Sequence, residues 1–586
     1  VDIHTHARPN QVRVTHLDLD LRLDFKLKQA DGSVQLDLQR VDPNAPLILD
    51  SNDLEILRVT AGDGSTRPFN LGPKDPKLGS ALSISLAPRD RRITVHYRTS
   101  PNAEAMQWLA PEQTAGGQHP FLFTQGQSIL TRSWIPLQDS PGIRVTYAAQ
   151  IQAPEGLTPL MSAEQLGRDN NGPFRFRMRE PIPPYLIALA CGQLHFLPIS
   201  ERCGVWAEAP TVRQARDELS DTEQMIRSAE RLFGRYRWGR YDILILPPSF
   251  PFGGMENPRL TFATPTILAG DRSLVGLVAH ELAHSWSGNL VTNARWTDFW
   301  LNEGFTVYLE QRIMEEVYGV ERSEMEKQLG RRDLEEELKS LESWQQILET
   351  PLEGRHPDEG FSQVPYEKGA LFLRRLETLV GRREFDLFLN RYFKRHAFQS
   401  ITTEDFLADL KSDLFERIPS TDSNVNLEDW IRKPGLPADA EVVRSRWLAA
   451  VDVELGRWQS GAPPKSLKTQ GWVTQQWMHF LQGLPRLLKP SQMRDLDAAF
   501  QFTSSGNAEI LSQWFLVTIR NQYREADQRL ERFLMTVGRR KYIKPLYAEL
   551  ATTPEGLARA KAIYTQARPR YHAVATTTID ALLKEK

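Results

Sequence analysis

The sequence predicts a multidomain α+β protein: an antiparallel β domain over 1–198, a mixed α+β domain over 199–440 and an α-helical domain over 441–586. Three observations predict it. Apolar residues alternate with polar ones through the first two hundred positions, the middle third mixes apolar runs with helical spacing, and from about residue 440 the helical period alone persists. At 586 residues the chain exceeds what one hydrophobic core supports, and two to four domains are expected.

The elements follow in order. Leu17, Leu19, Leu21, Leu23 and Phe25 alternate with Asp18, Asp20, Arg22 and Asp24, a half-buried strand with one wet face. Val34, Leu36 and Leu38 repeat the pattern after an Asp31-Gly32 turn, and strands at Pro46–Leu49, Ile93–Tyr97, Ile143–Ile151 and Leu186–Ala190 are punctuated by Pro and Gly. The apolar run Ile243–Leu246 stops at Pro247-Pro248, a strand leading into a loop. Leu274, Leu277, Val278 and Leu282 recur at helical spacing, with Asp271 and Ser273 as N-cap oxygens and Gly288-Asn289 as the stop. A second helix begins near Thr297-Asp298, and helical patterns continue through Glu324–Leu341 and Lys368–Val380. Leu436-Pro437-Ala438 reads as the linker into the last domain, where Val473, Trp477, Phe480, Leu481 and Leu484 define one apolar face. Ile510–Ile519, Leu530–Val537 and Leu557–Tyr564 continue in that style.

The chemistry concentrates in the middle third. His280-Glu281-Leu282-Ala283-His284 is an HExxH pentad, followed after eighteen residues by Glu303 in Asn302-Glu303-Gly304. On a helix the pentad sets two imidazoles one turn apart on one face. Neutral imidazole nitrogens at that spacing suit Zn²⁺, and the intervening glutamate stands beside the metal's open coordination position. The gap to Glu303 suffices to end one helix, cross a loop and begin another, so His280, His284 and Glu303 are expected to hold one Zn²⁺ per chain. Upstream, Gly253-Gly254-Met255-Glu256-Asn257 offers a carboxylate that pairs with an ammonium, beside glycines that let an extended substrate add to the backbone as a strand. By itself this segment reads equally well as a hairpin turn.

Composition narrows the class. Hydrophobic residues make up 40% and charged ones 25%, as in globular proteins, and 72 basic against 74 acidic residues argue against a dedicated nucleic-acid or anionic-membrane surface. No run of eighteen apolar residues occurs, so no membrane-spanning helix is expected. Cys191 and Cys203 read as two buried free thiols, with a disulfide between them as the exported-enzyme alternative. Position 1 is Val and no charged-then-apolar leader follows, which is consistent with a removed signal peptide or a trimmed chain.

Together these motifs resemble the gluzincin zinc aminopeptidases (the aminopeptidase N family), and within them the leukotriene A4 hydrolase-like subfamily and its microbial members. The matching stretches are Pro248 to Asn257, His280 to Glu310 with Trp296 and Phe299-Trp300-Leu301, Val364-Pro365-Tyr366-Glu367-Lys368-Gly369, and Gln125-Gly126-Gln127. The resemblance implies a β saddle, a thermolysin-like catalytic domain and a C-terminal α-helical domain with the cleft between them. It implies a metallo-aminopeptidase in which Glu281 is the general base, Tyr366 stabilises the oxyanion, and Glu256 and Gln127 hold the α-ammonium of a short peptide. Gln125, Gly253, Gly254 and Met255 would line the same substrate site. Gly538-Arg539-Arg540-Lys541 matches a segment that receives a peptide's C-terminal carboxylate, which carries over onto Arg539 and Lys541; considered alone, such a tetrad after a helix is a solvated turn suited to the helix dipole. A monomer is expected, and the family default for its location is the cytoplasm, with a periplasmic or secreted location as the alternative.

Two positions depart from the vertebrate members. Phe361 and Phe252 stand where those enzymes have tyrosines, while Asp358 matches the acidic residue of their substrate channel. Epoxide hydrolysis of the leukotriene A4 type is therefore the alternative or additional activity, using the zinc set and Asp358 with no ammonium contact at Glu256. A zinc-bearing scaffold without turnover has no use for Glu281 or Tyr366.

Overall fold

The computed structural model describes residues 2–418 and 425–584. The alternating segments form a seven-stranded sheet in the order Glu164–Gly167, Phe174–Ile182, Val145–Gln152, Val12–Asp24, Gln29–Arg40, Arg92–Arg98 and Glu55–Ala61. Leu17, Leu19, Leu21 and Leu23 are buried while the intervening aspartates face outward. One neighbour pair, Val12–Asp24 with Val145–Gln152, runs parallel within this otherwise antiparallel sheet, because the connection between them is long enough to cross over. Smaller sheets built on Phe121–Thr124 and on Ser80–Ile84 complete the N-terminal β region.

The expected turn at Asp31-Gly32 is displaced. The chain reverses at 25–28, with Lys28 at φ +54, and Asp31 and Gly32 lie inside the second strand opposite Arg22 and Leu21. A Cβ on Gly32 would run into the Asp20 carbonyl, so the glycine there serves close strand approach. The expected strand at Leu186–Ala190 starts late: Pro183 and Pro184 impose a 3₁₀ turn over Pro184–Leu186, and the strand runs Leu189–Gly192.

A five-stranded sheet opens the central region in the order His195–Pro198, Cys203–Ala207, Tyr241–Ile245, Leu260–Ala263 and Gly254–Met255. Its first strand lies just ahead of the expected boundary at residue 198. Gly254–Met255 is an edge strand, paired antiparallel with Leu260–Ala263 and, among the described residues, free of a strand partner on its other side. Helix Gly276–Ala283 packs on the last two strands of this sheet, and Trp300–Tyr318 packs in turn on that helix, on Val320–Leu338 and on Gly369–Val380. One apolar core runs unbroken from Ala7 to Ala440, uniting the β and α+β regions, whereas the helices from Arg446–Gln459 to Ala573–Lys584 enclose a core of their own. Cys191 and Cys203 are both buried and unbonded. Among the described residues no helix is long and apolar enough to cross a membrane.

Candidate active site

The motif helix is shorter than its periodicity predicts. It spans Gly276–Ala283, with Val275 rather than Asp271 or Ser273 at the N-cap; Asp271 instead accepts from the Ser273 backbone in the preceding turn. His280 sits in the last turn and His284 is the C-cap residue, still right-handed at φ −57. Gly288, at φ +106, turns the chain away. Glu303 comes from Trp300–Tyr318, entered through a 3₁₀ turn at Trp296–Asp298.

These elements bring the three expected ligands together. Glu303 Oε2 lies 3.3 Å from His280 Nε2 and 3.4 Å from His284 Nε2, and one donor atom from each residue falls within 4.8 Å of the others. Each imidazole is turned by a bond at its other nitrogen. His280 Nδ1 donates to Glu310 Oε2 at 2.9 Å, and His284 Nδ1 donates to the Ser287 carbonyl at 3.0 Å, with the Thr306 hydroxyl beside it at 3.0 Å. Such partners fix the tautomer that leaves Nε2 free for a metal. Burial holds His284 down at about 4, a neutral imidazole. Burial also disfavours charge on His280, but Glu303 and Glu310 outweigh it and raise that imidazole well above its ordinary range.

Among the described residues, the buried Glu256 Oε1, Glu281 Oε2 and Glu303 Oε2 have no hydrogen-bond partner. The Glu303 oxygen faces two imidazole Nε2 atoms, and two imidazoles with one carboxylate are a Zn²⁺ donor set. Removing the metal with a strong chelator is accordingly expected to abolish turnover, and His284→Ala to lose both bound zinc and activity. Metal analysis beside a rate assay checks this, and a His284→Ala protein retaining full zinc would take His284 out of the ligand set.

Glu281 is buried against the edge strand, where a side chain on Gly254 would collide with its carboxylate. Burial raises its carboxyl well above the usual range, with Glu256 and Glu303 adding to the rise and His280 opposing it. Glu256 follows the edge strand; its carbonyl accepts from Asn289 Nδ2 at 2.8 Å, and burial pushes its carboxyl up to about 7. An oxygen of Glu256, one of Glu281 and a ring nitrogen of His284 also lie within 4.8 Å of one another.

Tyr366 lies on a π-helical turn, Val364–Lys368, ahead of the helix Gly369–Val380. Its ring stacks on His280 with centroids 6.2 Å apart and 19° between planes. Burial, then the charges of Glu303 and Glu256, hold the phenol well above its ordinary pKa, so it remains a donor. A close helix crossing fixes this turn relative to Glu303: a Cβ on Gly304 would sit 2.7 Å from Gly369 Cα and 3.0 Å from the Pro365 carbonyl.

The remaining expected residues are spread around this centre. Gln125 Nε2 contacts Met255 Sδ at 3.2 Å, tying the β region to the edge strand. Gln127 is half-buried beside Ser128, whose hydroxyl donates to Asp358 Oδ1 at 2.6 Å. Phe361 stacks on Phe299 at 4.6 Å, and Phe299 meets Tyr366 edge-on at 6.1 Å. Phe252 packs on Phe250 at 5.8 Å. Arg539 reaches the edge strand, its Nη2 falling 3.2 Å from where a Gly253 Cβ would be. Lys541 stands further out, 57% exposed, with Nζ on Glu509 Oε1 at 2.6 Å. The tetrad follows the helix Asp527–Thr536, with Gly538 buried and Arg540 and Lys541 exposed. It precedes and opens Arg540–Leu550 and is pinned by Gly538 N to the Pro248 carbonyl and Arg540 N to the Pro251 carbonyl.

Two sets of positioning residues were not anticipated. Glu310 follows Glu303 by seven residues, two turns on one helix face, a spacing that could have pointed to it. Ser287, Thr306 and the Gly304–Gly369 crossing carried no sequence signal of their role.

The comparisons with known proteins match this architecture region by region. Residues 13–186 match the peptidase M1 N-terminal domain, 218–428 the peptidase family M1 domain, and 472–583 the leukotriene A4 hydrolase C-terminal domain. The chain is 35% identical to leucine aminopeptidase 2 of Yarrowia lipolytica (98% of this chain, 92% of that protein) and 37% identical to leukotriene A-4 hydrolase of Xenopus laevis (94% and 93%). Among solved structures, native yeast LTA4 hydrolase superposes with a TM-score of 0.92 at 33% identity, covering 100% of this chain and 97% of that one; its complex with bestatin gives 0.91. M1 peptidases are zinc enzymes, and by these matches the chain belongs to peptidase family M1, as a metallo-aminopeptidase of the branch that carries the leukotriene A4 hydrolase C-terminal domain.

Proposed function

We propose that this protein, as a monomer holding one Zn²⁺, releases N-terminal residues from short peptides with a free α-amino group. The observation that carries the reading is Glu256: a buried carboxylate with an unpartnered oxygen, at the end of an edge strand and within a few ångströms of Glu281 and His284. An unpaired buried carboxylate is costly unless a cation meets it, and an α-ammonium is such a cation.

His280, His284 and Glu303 would hold Zn²⁺, which would supply Lewis acidity for the scissile carbonyl and for the attacking water. Glu281 accepts the proton of the attacking water on its carboxylate and delivers it to the leaving amine. The Tyr366 hydroxyl donates to the oxygen on which negative charge develops. Gly253, Gly254 and Met255 offer their backbone to the extended peptide as an added strand, and the missing Cβ of Gly254 lets Glu281 stand next to it. Gln125 and Gln127 complete the pocket around the ammonium, while Arg539 and Lys541 receive the carboxylate of a short substrate. Epoxide hydrolysis is a second, additional activity supported by Asp358, which Ser128 orients next to Gln127.

N-acetylation removes the ammonium charge and adds bulk at the closed end, so blocked peptides are expected to be cleaved far more slowly than free ones. Glu256→Gln keeps shape and removes charge, and kcat/KM on free peptides should fall by more than about tenfold, because orientation at the reacting carbonyl depends on that anchor. A panel of aminoacyl chromogenic substrates with their N-acetyl counterparts measures both. Efficient internal cleavage of N-blocked peptides would make this an endopeptidase.

A further inference from the structure

The proposed receiver of a substrate's C-terminal carboxylate already contains a carboxylate of the protein's own. Glu509 lies in the first turn of Ala508–Arg520, 10% exposed, with Oε1 2.6 Å from Lys541 Nζ and 4.0 Å from Arg539 Nη1. Its backbone is fixed by Asn507, which caps the helix by accepting from Glu509 N at 3.0 Å and donates Nδ2 to Thr474 Oγ1 at 2.7 Å. Arg539 is fixed independently. Its Nη1 donates to Thr266 Oγ1 at 3.0 Å and Tyr542 Oη at 2.9 Å, and its chain neighbours are pinned to Pro248 and Pro251. Both hydroxyls are neutral acceptors, so two cations share one anion here. Burial works against charge on Glu509, but Lys541 and Arg539 outweigh it and hold the carboxyl below its usual range.

We propose that Glu509 is a specificity-determining residue that cancels one of the two positive charges of the Arg539–Lys541 pair and so limits the preference for substrates ending in a free carboxylate. The proposal rests on the reading of Arg539 and Lys541 as the carboxylate receiver. With Glu509 ionised, an arriving carboxylate meets one net positive charge and a like charge within reach of the same ammonium. Lys541 offers three donors, and Glu509 takes one of them. Arg539 keeps its place without Glu509, because hydroxyl and backbone bonds hold it. Glu509→Gln preserves an acceptor oxygen for Lys541 and removes the charge. A unit charge acts strongly over about 4 Å in a partly buried site, and the acid-over-amide ratio is expected to rise about tenfold even if most of that effect is screened.

The test compares kcat/KM for tripeptides and their C-terminal amides in the unmodified protein, Arg539→Ala and Glu509→Gln. The unmodified protein should prefer the acids, Arg539→Ala should lose most of that preference, and Glu509→Gln should strengthen it, with a steeper decline on added salt. A residue that merely props Lys541 would give the opposite sign, a weaker preference. An unchanged or lowered ratio in Glu509→Gln, with the Arg539→Ala loss intact, overturns this proposal alone. Equal rates on acids and amides in the unmodified protein overturn the underlying reading of Arg539 and Lys541, and this proposal with it. Should Glu509→Gln not fold, Glu509→Asp withdraws the charge by one methylene and is expected to raise the ratio two- to threefold, roughly the smaller effect of a longer charge separation; no rise there counts against the proposal equally.

Discussion

Glu281→Gln is expected to keep its zinc and lose turnover by at least about a hundredfold, since a positioned general acid–base group contributes roughly 10²–10⁴. The substitution is nearly isosteric, and it removes a negative charge from a cluster in which Glu256 and Glu303 already disfavour ionisation. Fold and metal content should therefore survive. The proposed ligand atoms belong to His280, His284 and Glu303, and the bonds that orient both imidazoles come from Glu310, Ser287 and Thr306. Glu281 takes part in none of these contacts. The check is kcat on a chromogenic aminoacyl substrate together with zinc content. Full activity in the zinc-loaded variant would remove Glu281 from the role of base.

Tyr366→Phe is expected to lower turnover by about 10²–10³, the typical effect of deleting one oxyanion donor. The ring keeps its stack on His280 and its edge contact with Phe299, so packing and metal should change little. The loss should fall on kcat more than on KM, because the hydrogen bond strengthens as charge develops on the substrate oxygen. Burial and the charges of Glu303 and Glu256 raise the phenol well above its ordinary pKa, which favours its role as a donor. Steady-state kinetics on free dipeptides and tripeptides would decide it. An unchanged kcat would leave Tyr366 as a packing residue whose hydroxyl has no part in the reaction.

By itself the sequence determined the division into β, α+β and helical regions, the pairing of HExxH with Glu303, and the membership that these motifs carry. These are local properties. Period-two alternation buries one face of a strand, period-3.6 spacing one face of a helix, and an i,i+4 pair of histidines shares a face wherever the helix goes. Boundaries were less legible: the motif helix runs Gly276–Ala283 with His284 as its still right-handed C-cap, and Asp271 serves the preceding turn instead of the N-cap. The tertiary structure alone decided that Gly254–Met255, the first arm of a hairpin with Leu260–Ala263, forms the edge of its sheet, since sheet order depends on which strands pair. It alone gathered Glu303 with His280 and His284, and Glu256 with Glu281 and His284, and it alone set Arg539 against Gly253, nearly three hundred residues away in the chain. Glu509 carries no motif at all. Its meaning comes from a buried position 2.6 Å from Lys541, a distance set by how two helices of the last domain pack, which no spacing along the chain encodes.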